Sequence, residues 1–299
     1  LANREIRVIG MKRSGHHAIV FWIADNVDSD EILYTGMRPG EESGIEFNVN
    51  YKAHGTPITE RLLEPCWPII YTLKSKPPVY VKSKKYGIQK FVHIGNINDI
   101  LCQTSILDWD CLIFSLEDWT IDQIKQGEIE EKHDEWYGQR LNMISVLVLR
   151  DPFNLVASNL SCHQYSTPTS EVLPKMCKIW KNHAREFVGQ TSFFSNCVKV
   201  NFNKWHTDKD YRLELMEELD IRLDDSPYQR IPDFGGGSSF SGKEKQGKAS
   251  ELKITERWKH YKDVPEFKSL LKDDELMELF REIFGTVSEE FEEWVIKEK

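Results

Sequence analysis

The segment Arg7-Val8-Ile9-Gly10-Met11-Lys12-Arg13-Ser14-Gly15-His16-His17 has the G-x4-G spacing with which a tight loop wraps backbone amides around a phosphate. In an ATP or GTP hydrolase such a loop closes on Lys-Ser/Thr, the lysine bridging the outer phosphates and the hydroxyl holding Mg²⁺. His16 and His17 stand in those places here, which argues against ordinary metal-nucleotide chemistry. What remains is an anion cradle. Gly10 and Gly15 permit the turn, the amides from Ser14 to His17 can face an anion, and the helix that follows adds its positive N-terminal end.

A second stretch, Leu147-Val148-Leu149-Arg150-Asp151-Pro152, leads into Ser158. Arg150 ends an apolar strand, Asp151 is a good helix N-cap, and Pro152 suits the first helical position. Ser158 then lies about two turns into the helix, on the side of the cap residue. An arginine fork and a hydroxyl can face one anion there, at the C-terminal edge of a parallel sheet. Read alone, the stretch is equally a capped helix beside a surface arginine.

The elements that must hold these residues follow from apolar patterning. Residues 5–9 read as a short buried strand and 16–26 as a helix apolar on most sides, which belongs against a sheet. From 31 to 95 short β-like runs, broken by Gly, Pro and Lys, predict a β-rich insertion. Alternation then resumes with a strand at 111–116, an acidic helical stretch near 120–135 and an almost wholly apolar strand at 144–149, as a central parallel strand should be. Helices from 152 and over 171–188, a strand at 198–202 and a helix near 208–219 complete the expected core. The Gly-rich stretch 235–250 is too polar for a packed element and reads as a flexible loop, either a lid or a linker. The helical part 251–299 closes the chain. The expectation is one large α/β domain over 1–299, with a central parallel sheet, a β-rich insertion and C-terminal helices.

The formal net charge of −9 opposes nonspecific binding to nucleic acid or anionic membrane, so the anion site must be local. No apolar run approaches the ~20 residues of a membrane span, and the start lacks a secretory pattern. The six cysteines, Cys66, Cys102, Cys111, Cys162, Cys177 and Cys197, form no C-x-x-C pair. Reduced thiols in a cytoplasmic protein are expected.

Together the two motifs resemble those of the PAPS-dependent sulfotransferases, a P-loop family that moves a sulfuryl group from 3′-phosphoadenosine 5′-phosphosulfate (PAPS) to an acceptor. In that family a K-[ST]-G-[TG]-[TS]-like loop holds the 5′-phosphosulfate, and Arg13-Ser14-Gly15-His16-His17 occupies those places, preceded by Lys12. A strand-terminal R-[ND]-P-x5-S segment grips the 3′-phosphate, matched by Arg150, Asp151, Pro152 and Ser158. Two departures stand out: Arg13 replaces the usual lysine, and His16-His17 replace hydroxyl residues. Arginine stabilises charge on the bridging oxygen but donates a proton less readily than lysine.

The resemblance implies a P-loop type three-layer fold, PAPS as donor, the 3′,5′-bisphosphate PAP as product, and no required metal. It also implies a small-molecule or glycan acceptor; nothing in the sequence sets an oligomeric state. A sulfuryl group in transfer carries less negative charge than a phosphoryl group, so Arg, His17 and backbone donors could suffice without Mg²⁺. His16 and His17 could instead be metal ligands, but adjacent helical side chains are expected to diverge and no third ligand is apparent; space-filling is a further option. Transfer needs a base. Glu117, ending the strand before the Arg150 strand, is the first choice, the alternative being that it or Asp118 only caps the next helix. His54, in a K-x-H setting, is the runner-up, and His93 has a weaker claim. Phe202, as an adenine wall or as core, and Ser239, Phe240 and Lys243, with Lys245 and Lys248 nearby, complete the implied nucleotide contacts. Trp258 reads as packing. The competing functions are a divergent P-loop kinase and a noncatalytic nucleotide-binding protein.

Overall fold

The computed structural model describes residues 4–27, 31–38, 46–53, 78–83, 88–93, 111–126, 142–161, 169–229, 231, 238, 240–241 and 244–298. Strand β1 (Arg4–Gly10) runs into helix α1 (His16–Asn26). Strands β2 (Glu31–Arg38), β3 (Glu46–Ala53), β4 (Pro78–Ser83) and β5 (Ile88–His93) follow, then β6 (Cys111–Glu117) and the short helix α2 (Ile121–Lys125). Strand β7 (Met143–Leu149) leads into α3 (Pro152–Leu160), α4 (Thr169–Val188), β8 (Cys197–Asn201), α5 (Phe202–Thr207) and α6 (Lys209–Glu218).

The molecule is α/β. Its main sheet has the order β3-β2-β6-β1-β7-β8, and every pairing is parallel except β2 with β3. β1 and β6 are buried along nearly their whole length, because helices cover both faces and alternation with polar residues is not needed. Ile6, Val8, Val146 and Val148 pack into one cluster with α1, α5 and α6, whereas Ile9 and Leu147 pack with Trp119 and Ile124. The turns after β1, β6 and β7 therefore emerge side by side on the C-terminal edge of three adjacent strands, where ligands of α/β sheets bind.

The expected insertion at 31–95 needs correction. β2 is a strand of the main sheet, parallel to β6, and β3 is its antiparallel edge; only β4 and β5 form a separate hairpin. Short runs of mixed polarity resemble an insertion locally, while a crossover that returns to the sheet leaves no local signature. The run at 69–73 lies outside the described residues.

Beyond 250 the chain is less helical than expected at first. It passes through short 3₁₀ turns at Ala249–Glu251, Arg257–His260 and Ser269–Lys272 and a one-turn helix α7 (Pro265–Lys268). Amphipathic helices α8 (Asp274–Phe284) and α9 (Glu289–Glu298) follow. They dock on α3 through Phe153, whose ring meets Phe267, Phe280, Phe291 and Trp294 edge-on. Truncating such a buried ring costs about 3–5 kcal/mol. Trp258, packed on Phe291 and Trp294, is a core residue as expected. No described helix is long and apolar enough to cross a membrane. Among the described residues, Cys177 and Cys197 are not in disulfides.

α4 is tied to the segment after β6 by His183, whose Nε2 lies 2.6 Å from the Trp119 carbonyl. Burial lowers its pKa to about 4, against the pull of that carbonyl. The unfolded chain thus takes up a proton that the folded chain refuses, so this contribution to stability is lost as pH falls from about 6.5 to about 4. His183→Gln keeps a donor without titrating. Its melting temperature should depend less steeply on pH in that window than the parent's, and an unchanged slope in thermal unfolding would contradict the assignment.

Candidate functional site

The loop Met11–Gly15 is pinned from several directions. Ser14 N donates to Met11 O (2.9 Å), Lys12 N to the Asp118 carboxylate (2.8 Å), and Asp118 N to Gly10 O (3.0 Å). Asn159 of α3 donates to Lys12 O (3.1 Å) and Arg150 Nη1 to Arg13 O (3.1 Å). Carbonyls of the loop are thus consumed on the α3 side. Arg13 itself takes a left-handed φ of 65°, costly for a side-chain-bearing residue, which such ties can sustain. The expected cradle shortens by one: Ser14 N is spent inside the loop, leaving Gly15, His16 and His17 at the start of α1, where first-turn amides lack intrahelical acceptors.

Both glycines are required by close approach. A Cβ at Gly10 would lie 2.7 Å from His16 Cβ, and one at Gly15, where φ is 88°, would lie 2.2 Å from Phe202 Cε2. Phe202 is therefore the floor of the loop, stacked on Trp205 (centroids 5.5 Å apart) with the Arg150 guanidinium 5.6 Å from its ring centre. Ser14 is buried with its Oγ lacking a hydrogen-bond partner.

Asp151 caps α3 by accepting from Asn154 N (2.8 Å), with Pro152 in the first turn, as the sequence predicts. Arg150 and Ser158 meet: Nη1 donates to Ser158 Oγ at 3.0 Å. Arg150 Nη2 donates to Ile254 O (2.6 Å), while Nε is buried without a partner. Burial lowers the Arg150 pKa to about 10, offset in part by Asp151, so the guanidinium stays charged.

Sequence reasoning missed Arg257. Its Nη1 donates to the same Ser158 Oγ (2.7 Å) and its Nη2 to Ser238 Oγ (3.1 Å). Trp258 N, donating to Asn154 Oδ1 (3.1 Å), holds this segment against α3. Burial first, then the charges of Arg150 and Arg13, push the Arg257 pKa well below its ordinary value. Neither Arg150 nor Arg257 is ion-paired to a carboxylate among the described residues; Asp151 is engaged by Asn154 and Asn203. The signal for Arg257 in the sequence was only a basic residue beside a buried tryptophan. Phe240 is brought in as well, at 5.1 Å from the Arg257 guanidinium and 5.0 Å from the His260 ring. Lys245 points elsewhere, bonded to Glu251 (2.7 Å).

Glu117 stands opposite Gly10 in the sheet register, with Oε1 3.7 Å from His16 Nδ1. Neither it nor Asp118 caps α2. That role belongs to Thr120, whose Oγ1 accepts from Gln123 N (3.1 Å) while Gln123 Oε1 accepts from Thr120 N (2.9 Å), a capping box. Asp118 is instead turned onto the loop, and burial followed by the Glu117 charge raises its pKa. Burial lowers the His16 pKa more than Glu117 and the Met11 carbonyl raise it, which favours a neutral imidazole.

The expectation that His16 and His17 diverge is also corrected. Their ring centroids lie 3.9 Å apart, and Glu117 supplies a third group, with ligand atoms of all three within 4.8 Å of one another. First-turn side chains have no preceding helical turn to restrict their rotamers. His54, Ser239 and Lys243 lie outside the described residues, as do parts of the 235–250 loop. Compared with known protein families the chain matches none, and compared with curated proteins it also matches none.

Gly15→Ala should destabilise the protein by about 2–5 kcal/mol, through left-handed backbone strain and overpacking against Phe202. In a Phe202→Ala background the penalty should fall to the backbone share of ~1–2 kcal/mol. Urea unfolding of the four proteins checks this; strict additivity would mean that the ring is not the obstacle.

Proposed function

We propose that this chain is a sulfotransferase with a P-loop type fold, moving the sulfuryl group of PAPS to a hydroxyl or amine acceptor. The observation that carries this reading is the buried convergence of Arg150 and Arg257 on the Ser158 hydroxyl, with the Arg13 charge near Arg257. Two guanidinium groups on one hydroxyl, away from water and offset only in part by Asp151, are unfavourable unless a further anion shares the site. The orphaned Ser14 Oγ and Arg150 Nε are further donors for which the loop supplies no acceptor. Two anion positions fit the donor set, one at the mouth of α1 and one at Arg150, Ser158 and Arg257, matching a nucleotide phosphorylated at both 5′ and 3′.

When bound, PAPS supplies an electrophilic sulfur and PAP as leaving group. Gly15, His16 and His17 at the start of α1, with Lys12 and Ser14, would hold the 5′ end, and Arg13 would stabilise negative charge on the bridging oxygen. Arg150 and Arg257 would take the 3′-phosphate, with Ser158 exchanging arginine contacts for the anion. Glu117, freed from any capping duty, would accept the acceptor's proton while His16 steadies its carboxylate.

Adenosine 3′,5′-bisphosphate should raise the melting temperature more than ATP, ADP or 5′-AMP, with EDTA present, because it fills both anion positions. Equal stabilisation by ATP with a strict Mg²⁺ requirement would replace this reading with a kinase. Arg257→Ala should weaken the bisphosphate by ~1.5–3 kcal/mol and Ser158→Ala by ~0.5–1.5 kcal/mol, with 5′-AMP little affected. Equal losses for both nucleotides in titration calorimetry would reject the 3′ assignment.

Once an acceptor is found by screening, Glu117→Gln should lower turnover by roughly 10²–10⁴-fold with bisphosphate affinity retained. Normal turnover in that variant would remove Glu117 as the base, and a matching loss in His54→Ala would transfer the role to His54.

A further inference from the structure

We propose that His16, His17 and Glu117 form a binding site for a transition-metal ion, zinc above all, at the mouth of the anion loop. This inference stands apart from the sulfotransferase reading, since it rests on three side chains and not on any nucleotide contact. Ligand atoms of the three groups already lie within 4.8 Å of one another, and His16 Nδ1 is 3.7 Å from Glu117 Oε1. Tetrahedral zinc with bonds of about 2.0–2.2 Å asks for donor separations of roughly 3.3–3.5 Å, so the His16–Glu117 edge is nearly in place. With every separation within 4.8 Å, no edge needs to close by more than about 1.5 Å, to which a rotation of the partly exposed His17 ring can contribute.

Two imidazoles and one carboxylate are a donor set for zinc, not for magnesium or calcium, which take oxygen ligands. The same substitution that removes the usual Mg²⁺-holding hydroxyl thus supplies nitrogen ligands for a different ion. Both sides of the site are firm. His16 is buried with its Cβ close over Gly10, and Glu117 ends a central strand in register with that glycine. Three protein ligands leave a fourth position open toward the loop, as in zinc sites that bind water or an anion.

Occupancy has a direct consequence. A metal-bound Glu117 carboxylate no longer accepts a proton, and the metal-bound nitrogen of His17 cannot donate to an anion. Metal binding and proton acceptance at Glu117 are therefore alternative states of one site, and zinc acts as an inhibitor of any reaction that uses Glu117 as base.

The test uses the full chain, stripped with chelator and titrated with Zn²⁺ by calorimetry and with Co²⁺ by visible absorption. One ion per chain with tetrahedral Co²⁺ bands is expected. His17→Ala and Glu117→Gln should each weaken Zn²⁺ by about 100-fold or more, since losing a ligand costs at least as much as losing its outer-shell partner. His260→Ala, at an exposed histidine outside the three-residue cluster, serves as the control and should bind as the parent does. Circular dichroism confirms that the variants are folded, and Glu117→Gln preserves side-chain shape if His17→Ala is not.

Absence of stoichiometric binding, or binding that both variants leave intact, overturns the proposal. Bisphosphate stabilisation is measured separately in EDTA. Zinc binding lost in both variants without bisphosphate binding upholds the metal site and rejects the transferase reading, and the opposite pair of results does the reverse.

Discussion

The buried guanidinium of Arg150 is the contact on which the rest of the site depends. It joins the end of β7 to the Arg13 carbonyl in the loop, the Ser158 hydroxyl in α3 and the Ile254 carbonyl ahead of Arg257, while its own carbonyl accepts from Trp180 Nε1 (2.8 Å). Four chain segments are fixed by one side chain. Its hydrogen-bond partners are neutral and leave Nε unsatisfied, Asp151 offsets its charge only in part, and removing a cation from water costs several kcal/mol per ion. The site is thus rigid in shape and electrostatically unfinished, a combination suited to selective capture of a small anion.

The concentration of positive charge is notable against a net charge of −9. The overall field repels anions at long range, whereas Arg13, Arg150, Arg257 and the start of α1 attract them within a few ångströms. Salt screens the first effect far more than the second, because buried charges are poorly screened. Selection in such a protein rests on close fit and not on steering.

What the sequence revealed and what it withheld divide along physical lines. The loop, the strand ending at Arg150, the Asp151 cap and the Ser158 side of α3 are local, and the structure retains each of them. The capping box is equally local, since Thr120 and Gln123 have the required spacing. Arg257 and the place of β2 beside β6 were not legible. The first is positioned by Trp258 N on Asn154, far along the chain, and the second by a crossover. Phe202 shows the same limit: its neighbour in space is Gly15, and no periodicity announces an aromatic ring against a loop glycine.

The central position of β1 also bears on how the chain is made. Arg4 pairs with Cys111 and Glu5 with Met143, so β1 finds its neighbours only after the chain through Met143 has left the ribosome. The loop waits longer still, since the Arg150 guanidinium that holds it also needs Ile254. Until then the apolar residues Ile6, Val8 and Ile9 have no sheet to enter, and such exposed strands are sites for chaperone capture or aggregation. In this architecture, the residues that grip an anion in the finished protein lie next to the segment whose protection during translation matters most.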